Sequence, residues 1–206
     1  MKGKFITFEG CEGSGKSTQI ALFKDYLDSQ GIEYLFIREP GGTKISEKIR
    51  SIILDVNNSE MSDSAEALLY ASARAQLIDE KILPALSSGK LVICDRYIDS
   101  SFAYQAYARG LGMEFIEKIN SYAVANCMPD YTIFLDISPK DAFIRKGGAD
   151  VDDRLEQSGM NFHQEVYKGY KCLAEKFADR FIVINALGGI DEIKDEIISK
   201  LEKVIK

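Results

Sequence analysis

The sequence predicts an α/β fold: a doubly wound, five-stranded parallel sheet flanked by helices. Three observations lead there. Five short apolar runs, at residues 4–8, 33–37, 91–94, 131–137 and 181–185, are separated by helical patterns, the alternation that builds βαβ units. The runs are mostly apolar on both alternating faces, as parallel strands covered from two sides should be. The first run also opens into Gly10-Cys11-Glu12-Gly13-Ser14-Gly15-Lys16-Ser17, the P-loop pattern G-x-x-x-x-G-K-[ST] in its strand–loop–helix setting.

In chain order, the strand at 4–8 leads into that loop. Its glycines remove Cβ atoms and permit positive φ, so successive backbone N–H groups can converge on one anion. A helix starting near Lys16 adds unpaired N–H groups and the positive end of its dipole. Lys16 is expected to reach the outer phosphates and the Ser17 hydroxyl to hold magnesium. The expected triphosphate-binding residues are Gly10, Cys11, Glu12, Gly13, Ser14, Gly15, Lys16, Ser17 and Thr18. The alternative is a Gly-rich turn between strand and helix.

The helix over 18–29 stops at Gly31, and a long helix over 64–87 stops at Gly89, both good C-cap residues. The second strand runs into Arg38-Glu39-Pro40-Gly41-Gly42-Thr43, and Arg50 follows on a helix. The third strand ends at Asp95-Arg96-Tyr97. One helix is predicted over 113–126. After the fourth strand, Ser138, Pro139 and Asp141 supply an N-cap, a proline at N1 and an acid at N3. Helices over 161–178 and 190–205 flank the last strand. The polar, Gly-rich stretch at about 146–154 is predicted to be a lid with a glycine hinge and a terminal Arg154. An ordinary solvated loop is the alternative.

Bulk composition narrows the function classes. With 206 residues, 46% of them hydrophobic, one domain over 1–206 with a sizeable core is expected. The chain enters a strand almost at once, so no signal peptide is expected, and no apolar run approaches the roughly 18 residues of a membrane span. A net charge of −6 and a pI near 5.0 disfavour nucleic acid as a main partner, because no basic stripe exists to neutralise a polyanion. Cys11, Cys94, Cys127 and Cys172 are widely spaced, three of them among apolar neighbours. Free buried thiols suit a reducing cytoplasm and argue against zinc.

Ligands of doubly wound sheets lie beyond the carboxyl ends of the strands. Asp95 stands there, where P-loop proteins commonly place an acid that orders magnesium. A surface Asp95–Arg96 pair or a helix cap would explain it structurally. Arg96 and Arg50 each offer a planar fork for a phosphate, although Arg50 also fits a plain helix-face charge. The single histidine, His163, is expected to be a surface or cap residue on the helix over 161–178.

Three segments make the reading specific: Phe8-Glu9-Gly10-Cys11-Glu12-Gly13-Ser14-Gly15-Lys16-Ser17-Thr18-Gln19, then Arg38-Glu39-Pro40-Gly41-Gly42-Thr43, then Asp95-Arg96-Tyr97-Ile98-Asp99-Ser100-Ser101-Phe102-Ala103-Tyr104-Gln105. In order and spacing they resemble the motifs of the thymidylate kinase family, and the resemblance extends over essentially the whole chain. Glu12 in the loop, with Arg145 and Arg154 around the lid, resembles the bacterial branch.

The resemblance implies a P-loop kinase that phosphorylates dTMP to dTDP with ATP and magnesium, on the route to dTTP. It also implies a homodimer formed through the helices around 64–86 and after Asp95. Lys16, Glu12, Arg96, Arg145 and Arg154 would be the catalytic set, with Ser17 and Asp95 toward the metal. Glu12 would face the acceptor's 3′-hydroxyl or its phosphate neighbourhood. Arg96 and Arg50 would hold the monophosphate, in a cradle shaped by Arg38 and Glu39. Tyr70, where the family also commonly carries Phe, would stack on thymine. Arg74 would meet a base carbonyl, and Ser101 and Gln105 would complete base recognition. Tyr104 would crowd the 2′ position, and Pro40 would border the 5-methyl group.

The chemistry suits such a site. A phosphate monoester has a second pKa of about 6 and is already largely dianionic at pH 7, so no protein base is needed. A switch GTPase would carry an Asn-Lys-x-Asp motif, which is absent, and a motor ATPase would carry an acid after Asp95, where Arg96 stands. Another monophosphate kinase, or a deoxynucleoside kinase using Glu12 or Glu39 as base, is the closer rival.

Overall fold

The structure is a computed structural model, described here for residues 3–147, 154–155 and 158–205. Five strands, β1 (Phe5–Glu9), β2 (Tyr34–Arg38), β3 (Leu91–Asp95), β4 (Tyr131–Asp136) and β5 (Phe181–Asn185), form one all-parallel sheet in the order β2-β3-β1-β4-β5. The doubly wound α/β plan expected from sequence is therefore the fold observed. The three inner strands are covered on both faces, whereas the edge strands are only half covered: Phe36 in β2 is 38% exposed and Val183 in β5 is 40% exposed. An apolar run does not reveal whether a strand lies at an edge.

Period-two alternation sorts the strand residues between two cores. Ile6 and Phe8 join Ile93, Ile133 and Leu135 beneath α1 (Lys16–Ser29) and α10 (Ile190–Ile205). Phe5, Val92, Cys94 and Phe134 face the other way, toward α3 (Asp63–Leu77) and α9 (Gly159–Lys176). On that second face the sheet also buries polar groups. Thr7 and Thr132 share a hydrogen bond of 3.0 Å, Thr132 donates to Asp99, and Arg180 grips Asp99 through two contacts of 2.6 Å. Glu9 continues the Phe5–Thr7 alternation, so its carboxylate points to the same side.

Helix boundaries depart from the sequence expectation in informative ways. The helix predicted over 64–87 begins with a Ser62 cap that accepts from the Ala65 N–H, then widens into a π-helical turn at Ile78–Ile82 before α4 (Leu83–Ser87). Pro84, near the start of α4, lacks the backbone donor a regular helix would use. After β3, α5 (Ile98–Ser101) passes directly into a second π-helical stretch, Phe102–Ala108, which carries Tyr104 and Gln105. The helix predicted over 113–126 is two helices, α6 (Met113–Ile119) and α7 (Ser121–Asn126), broken at buried Asn120.

α9 packs along the Phe102–Ala108 stretch. A Cβ on Gly169 would stand 3.0 Å from the Tyr107 Cβ and 3.1 Å from the Ala103 Cα, so a hydrogen side chain permits this approach. Two further helices complete the fold: α2 (Lys44–Leu54), capped by Thr43, and α8 (Pro139–Arg145), capped by Ser138. The Ser138–Pro139–Asp141 start appears as predicted from sequence. Of the expected lid at about 146–154, residues 148–153 lie outside the described residues; Lys146, Gly147 and Arg154 are described. Cys11, Cys94 and Cys127 are buried, Cys172 is exposed, and none of the four forms a disulfide. Among the described residues, no helix is long and apolar enough to cross a membrane.

Candidate active site

The carboxyl ends of β1, β2 and β3 open onto one cavity of about 270 Å³. β1 delivers the phosphate-binding loop to its edge. Gly10, Gly13 and Gly15 all have positive φ, and a Cβ on Gly13 would lie 2.6 Å from the Ala142 carbonyl oxygen. Glycine there lets α8 close against the loop. Gly15 precedes the first turn of α1, and buried Lys16 folds its ammonium back to donate to the Gly10 and Cys11 carbonyls at 3.1 and 3.2 Å. Burial, with Arg96 nearby, pulls the Lys16 pKa below its ordinary value. Burial also raises the Cys11 thiol to about 11, so it remains protonated beside the loop.

β3 supplies the opposite wall. Arg96 has φ +64°, the left-handed region rarely used by a residue with a Cβ. Its Nη1 donates to the Gly10 carbonyl at 3.0 Å and to the Ser100 and Tyr170 hydroxyls at 3.3 Å, and its Nη2 pairs with Glu12. The Arg96 guanidinium beside it holds the Glu12 carboxyl down at about 2, against the opposing effect of burial. The same guanidinium lies over the Tyr104 ring, 5.3 Å from its centroid. Asp95, the last residue of β3, has a buried Oδ1 without a hydrogen-bond partner.

A cis Glu39–Pro40 bond follows β2. The Pro40 carbonyl accepts from both Arg38 Nη1 (2.7 Å) and Arg50 Nη1 (3.0 Å), which sets these two guanidinium groups side by side at the cavity. Glu39 is ion-paired to Arg74 at 2.7 Å, with both side chains almost wholly buried. Burial dominates and pushes the Glu39 carboxyl up to about 7, with Arg74 opposing. Arg74 also donates to Asn120 Oδ1 at 2.5 Å, to the Tyr97 carbonyl at 3.2 Å and to Ser101 Oγ at 3.0 Å. The break between α6 and α7 thus places Asn120 where it receives Arg74.

Fourteen of the residues singled out from sequence line this one cavity: Glu12, Lys16, Ser17, Arg38, Glu39, Pro40, Arg50, Tyr70, Arg74, Asp95, Arg96, Ser101, Tyr104 and Gln105. Gly10, Cys11, Gly13, Ser14, Gly15 and Thr18 form the loop and helix start behind it. Arg145 sits against that loop, donating to the Ser14 carbonyl at 3.4 Å and the Ala186 carbonyl at 2.5 Å. Arg154 is elsewhere. It pairs with buried Glu66 and donates to the Ile53 carbonyl at 3.0 Å, and it is not part of the cavity lining. His163 is not a cap: it lies within α9, partly exposed, and lines the cavity.

Sequence reasoning overlooked Glu9. It is fully buried and accepts from the Tyr97 N–H (2.8 Å), the Ser100 N–H (3.3 Å) and hydroxyl (2.7 Å), and the Tyr170 hydroxyl (2.8 Å). Burial first, and then Asp99, raise its carboxyl to about 7. An acid ending an apolar strand was the available signal. Tyr170, Asn120 and Glu66 had none, since each looks like an ordinary helix residue until the helices are packed.

Known proteins resemble the chain over nearly its whole length. The family model described as Thymidylate kinase matches residues 8–197. The thymidylate kinase of Thermoanaerobacter sp. (strain X514) is 48% identical over 205 residues, covering 100% of both chains. That of Caldanaerobacter subterraneus subsp. tengcongensis is 46% identical over 206 residues, covering 100% of this chain and 98% of the relative. That of Geobacillus sp. (strain WCH70) is 47% identical over 195 residues, 94% and 93% of the two chains. Likeness of this extent makes the chain a member of the thymidylate kinase family, with the P-loop fold that its parallel sheet displays.

Proposed function

We propose that this protein transfers the terminal phosphoryl group of ATP to dTMP, giving dTDP and ADP. The observation that carries the reading is the shared cavity. Lys16 and Ser17 of the triphosphate loop stand in the same enclosure as Arg38, Arg50 and Arg96 and as a wall of Tyr70, Arg74, Ser101 and Gln105. One polyanion belongs on the loop, and a second phosphate belongs against the arginines.

The acceptor is a phosphate dianion near neutral pH, so catalysis reduces to aligning two polyanions and cancelling their repulsion. Lys16 and the loop N–H groups hold the donor. Arg96 and Arg50 clamp the acceptor phosphate, with Arg38 and Glu39 shaping its cradle. Glu12, kept ionised by Arg96, accepts a hydrogen bond from the sugar 3′-hydroxyl in this reading and orients Arg96 through their ion pair. Tyr70 offers a face to the base, Arg74 and Ser101 meet its carbonyl edge together with Gln105, Pro40 borders the 5-methyl group, and Tyr104 fills the space a 2′-hydroxyl would need. Between Arg145 and Arg154, Arg145 is the better placed to neutralise the transferred group, because it already contacts the loop while Arg154 is engaged with Glu66.

Magnesium fits the residues present. Asp95 carries a buried carboxylate oxygen with no protein partner, and the Ser17 hydroxyl shares its cavity. These two would hold the ion, which would supply positive charge to offset the negative charge of the donor phosphates. A cytoplasmic homodimer completes the proposal. On α3, within the region the resemblance implies as the interface, Leu68 is 49% exposed, and a second copy would cover it.

An ADP-release assay across dTMP, dUMP, dCMP, AMP, GMP and thymidine tests the reaction. The expected result is dTMP as the best acceptor, with no turnover of thymidine. Equal or better turnover of a non-thymidine monophosphate overturns it. The preference over dUMP rests on one methyl group, for which an apolar pocket supplies about 1–3 kcal/mol.

A further inference from the structure

Gln105 is 2% exposed and lines the cavity, yet its side-chain amide has two chemically opposite ends, a carbonyl that accepts and an NH2 that donates. Which end faces a ligand is decided outside the cavity. Its Nε2 donates at 2.8 Å to Oε1 of Glu66, a wholly buried residue of α3 that is not part of the cavity lining. Glu66 is held in turn by two arginines: Arg109 Nη2 donates to its Oε2 at 3.2 Å, and Arg154 pairs with the same oxygen. An ion-paired carboxylate only accepts hydrogen bonds. It therefore tolerates a single orientation of the neighbouring amide, with the NH2 turned inward.

We propose that Glu66 is a specificity-positioning residue: by binding the NH2 of Gln105 it commits the Gln105 carbonyl oxygen to the cavity, so that the pocket presents an acceptor to the pyrimidine edge. The inference rests on the monophosphate kinase reading above. Thymine and uracil carry a hydrogen at N3 and can donate to that oxygen. Cytosine has an unprotonated N3, so acceptor would face acceptor, and a buried polar group would go unpaired. The discrimination is against dCMP. It is separate from the methyl contact that distinguishes dTMP from dUMP.

Glu66→Gln removes the commitment with little change of shape. A neutral amide at 66 either donates or accepts, so Gln105 can turn over and present its NH2 to N3 of cytosine. The measurement is kcat/KM for dTMP and dCMP in the wild type, Glu66→Gln, Gln105→Met and the double variant, with melting temperatures alongside. Glu66→Gln is expected to lower the dTMP:dCMP preference about tenfold. The double variant should show no further loss beyond Gln105→Met, because the two residues act as one unit. A Glu66→Gln protein that turns over both nucleotides more slowly but keeps the ratio overturns the proposal, and so does a loss of ratio that persists unchanged in the Gln105→Met background. Should Glu66→Gln fail to fold, Glu66→Asp, which withdraws the carboxylate by one methylene, is expected to lower the ratio as well, and an unchanged ratio there is equally negative. A wild type inactive on dTMP defeats the functional reading itself, whereas a dTMP-selective wild type with an unaltered ratio on substitution defeats only the role of Glu66.

Discussion

Glu9 and Arg96 share two hydroxyls. Ser100 Oγ and Tyr170 OH each donate to Glu9 Oε2, at 2.7 and 2.8 Å, and each receives Arg96 Nη1 at 3.3 Å. Glu9 also takes the backbone N–H of Tyr97, the residue after Arg96. The carboxylate at the end of β1 thus builds the turn that presents the arginine at the end of β3, without forming an ion pair with it. In Glu9→Gln the carboxamide keeps an acceptor but adds a donor that this all-donor surround does not need. The expected outcome is a dTMP KM raised about tenfold with a smaller change in kcat, read by steady-state kinetics; an unaltered KM removes Glu9 from the support of Arg96.

The same residue sets a pH dependence of stability. Its carboxyl rises to about 7 in the fold, from an ordinary value of 4.5. Between those values the folded state holds a proton that the unfolded chain has released, so stability falls as pH rises through this window. The stabilisation is complete below about pH 4.5 and is lost by pH 7, at a magnitude of up to about 3 kcal/mol for one such group. Glu39 acts in the same direction. Urea midpoints measured from pH 5 to pH 8 should therefore slope downward more steeply for the wild type than for Glu9→Gln, and parallel slopes would contradict the assignment.

Glu12 carries the opposite sign. Arg96 depresses its carboxyl to about 2, so the stabilisation from this pair is present above pH 4.5 and is lost as pH falls toward 2. Acid unfolding should begin at higher pH in Glu12→Gln than in the wild type, as followed by circular dichroism at low salt. The contribution is expected to be modest, since the Glu12 side chain is 42% exposed and screened by solvent.

Arg96 combines function with strain. At φ +64° a residue with a Cβ costs about 1–2 kcal/mol relative to glycine. Arg96→Gly should accordingly be more stable than Arg96→Ala by about 1 kcal/mol in chemical denaturation. Both should lose dTMP affinity by tens to hundreds of fold while ATP affinity changes little, as titration calorimetry would show. Equal stabilities would mean that the backbone relaxes once the guanidinium is gone.

The α9 contact depends on a missing side chain. Gly169→Ala would press a methyl group to about 3 Å from Tyr107 and Ala103. Although alanine favours the helix, the overpacking is expected to dominate and to lower stability by about 1–3 kcal/mol. A variant as stable as the wild type in thermal melts would show that α9 can shift without cost.

Much of this molecule was legible in its residue order. The alternation of apolar runs and helical patterns revealed the sheet, and the P-loop, the Arg38–Thr43 stretch and the Asp95–Gln105 stretch marked three loops at one edge. Those are local signals: strand periodicity, turn glycines, caps and charges at strand ends. Boundaries failed where local pattern was uninformative. Asn120, at the break between two helices, is buried and accepts from Arg74, and the wide turn over Phe102–Ala108 lies where the chain packs against α9.

The amino-acid order by itself determined the five strands, the phosphate loop and the family, because each is encoded within short stretches of chain. Only the tertiary structure decided that Glu9 and Arg96 share Ser100 and Tyr170, that Gln105 donates to Glu66, that His163 lines the cavity and that Arg154 pairs with Glu66. Those relationships join residues up to 161 positions apart, as in the Tyr170–Glu9 hydrogen bond. Their chemistry depends on burial, which converts an ordinary helix carboxylate or tyrosine into a partner that must be satisfied. Burial belongs to the packed molecule and cannot be assigned to one residue in a string.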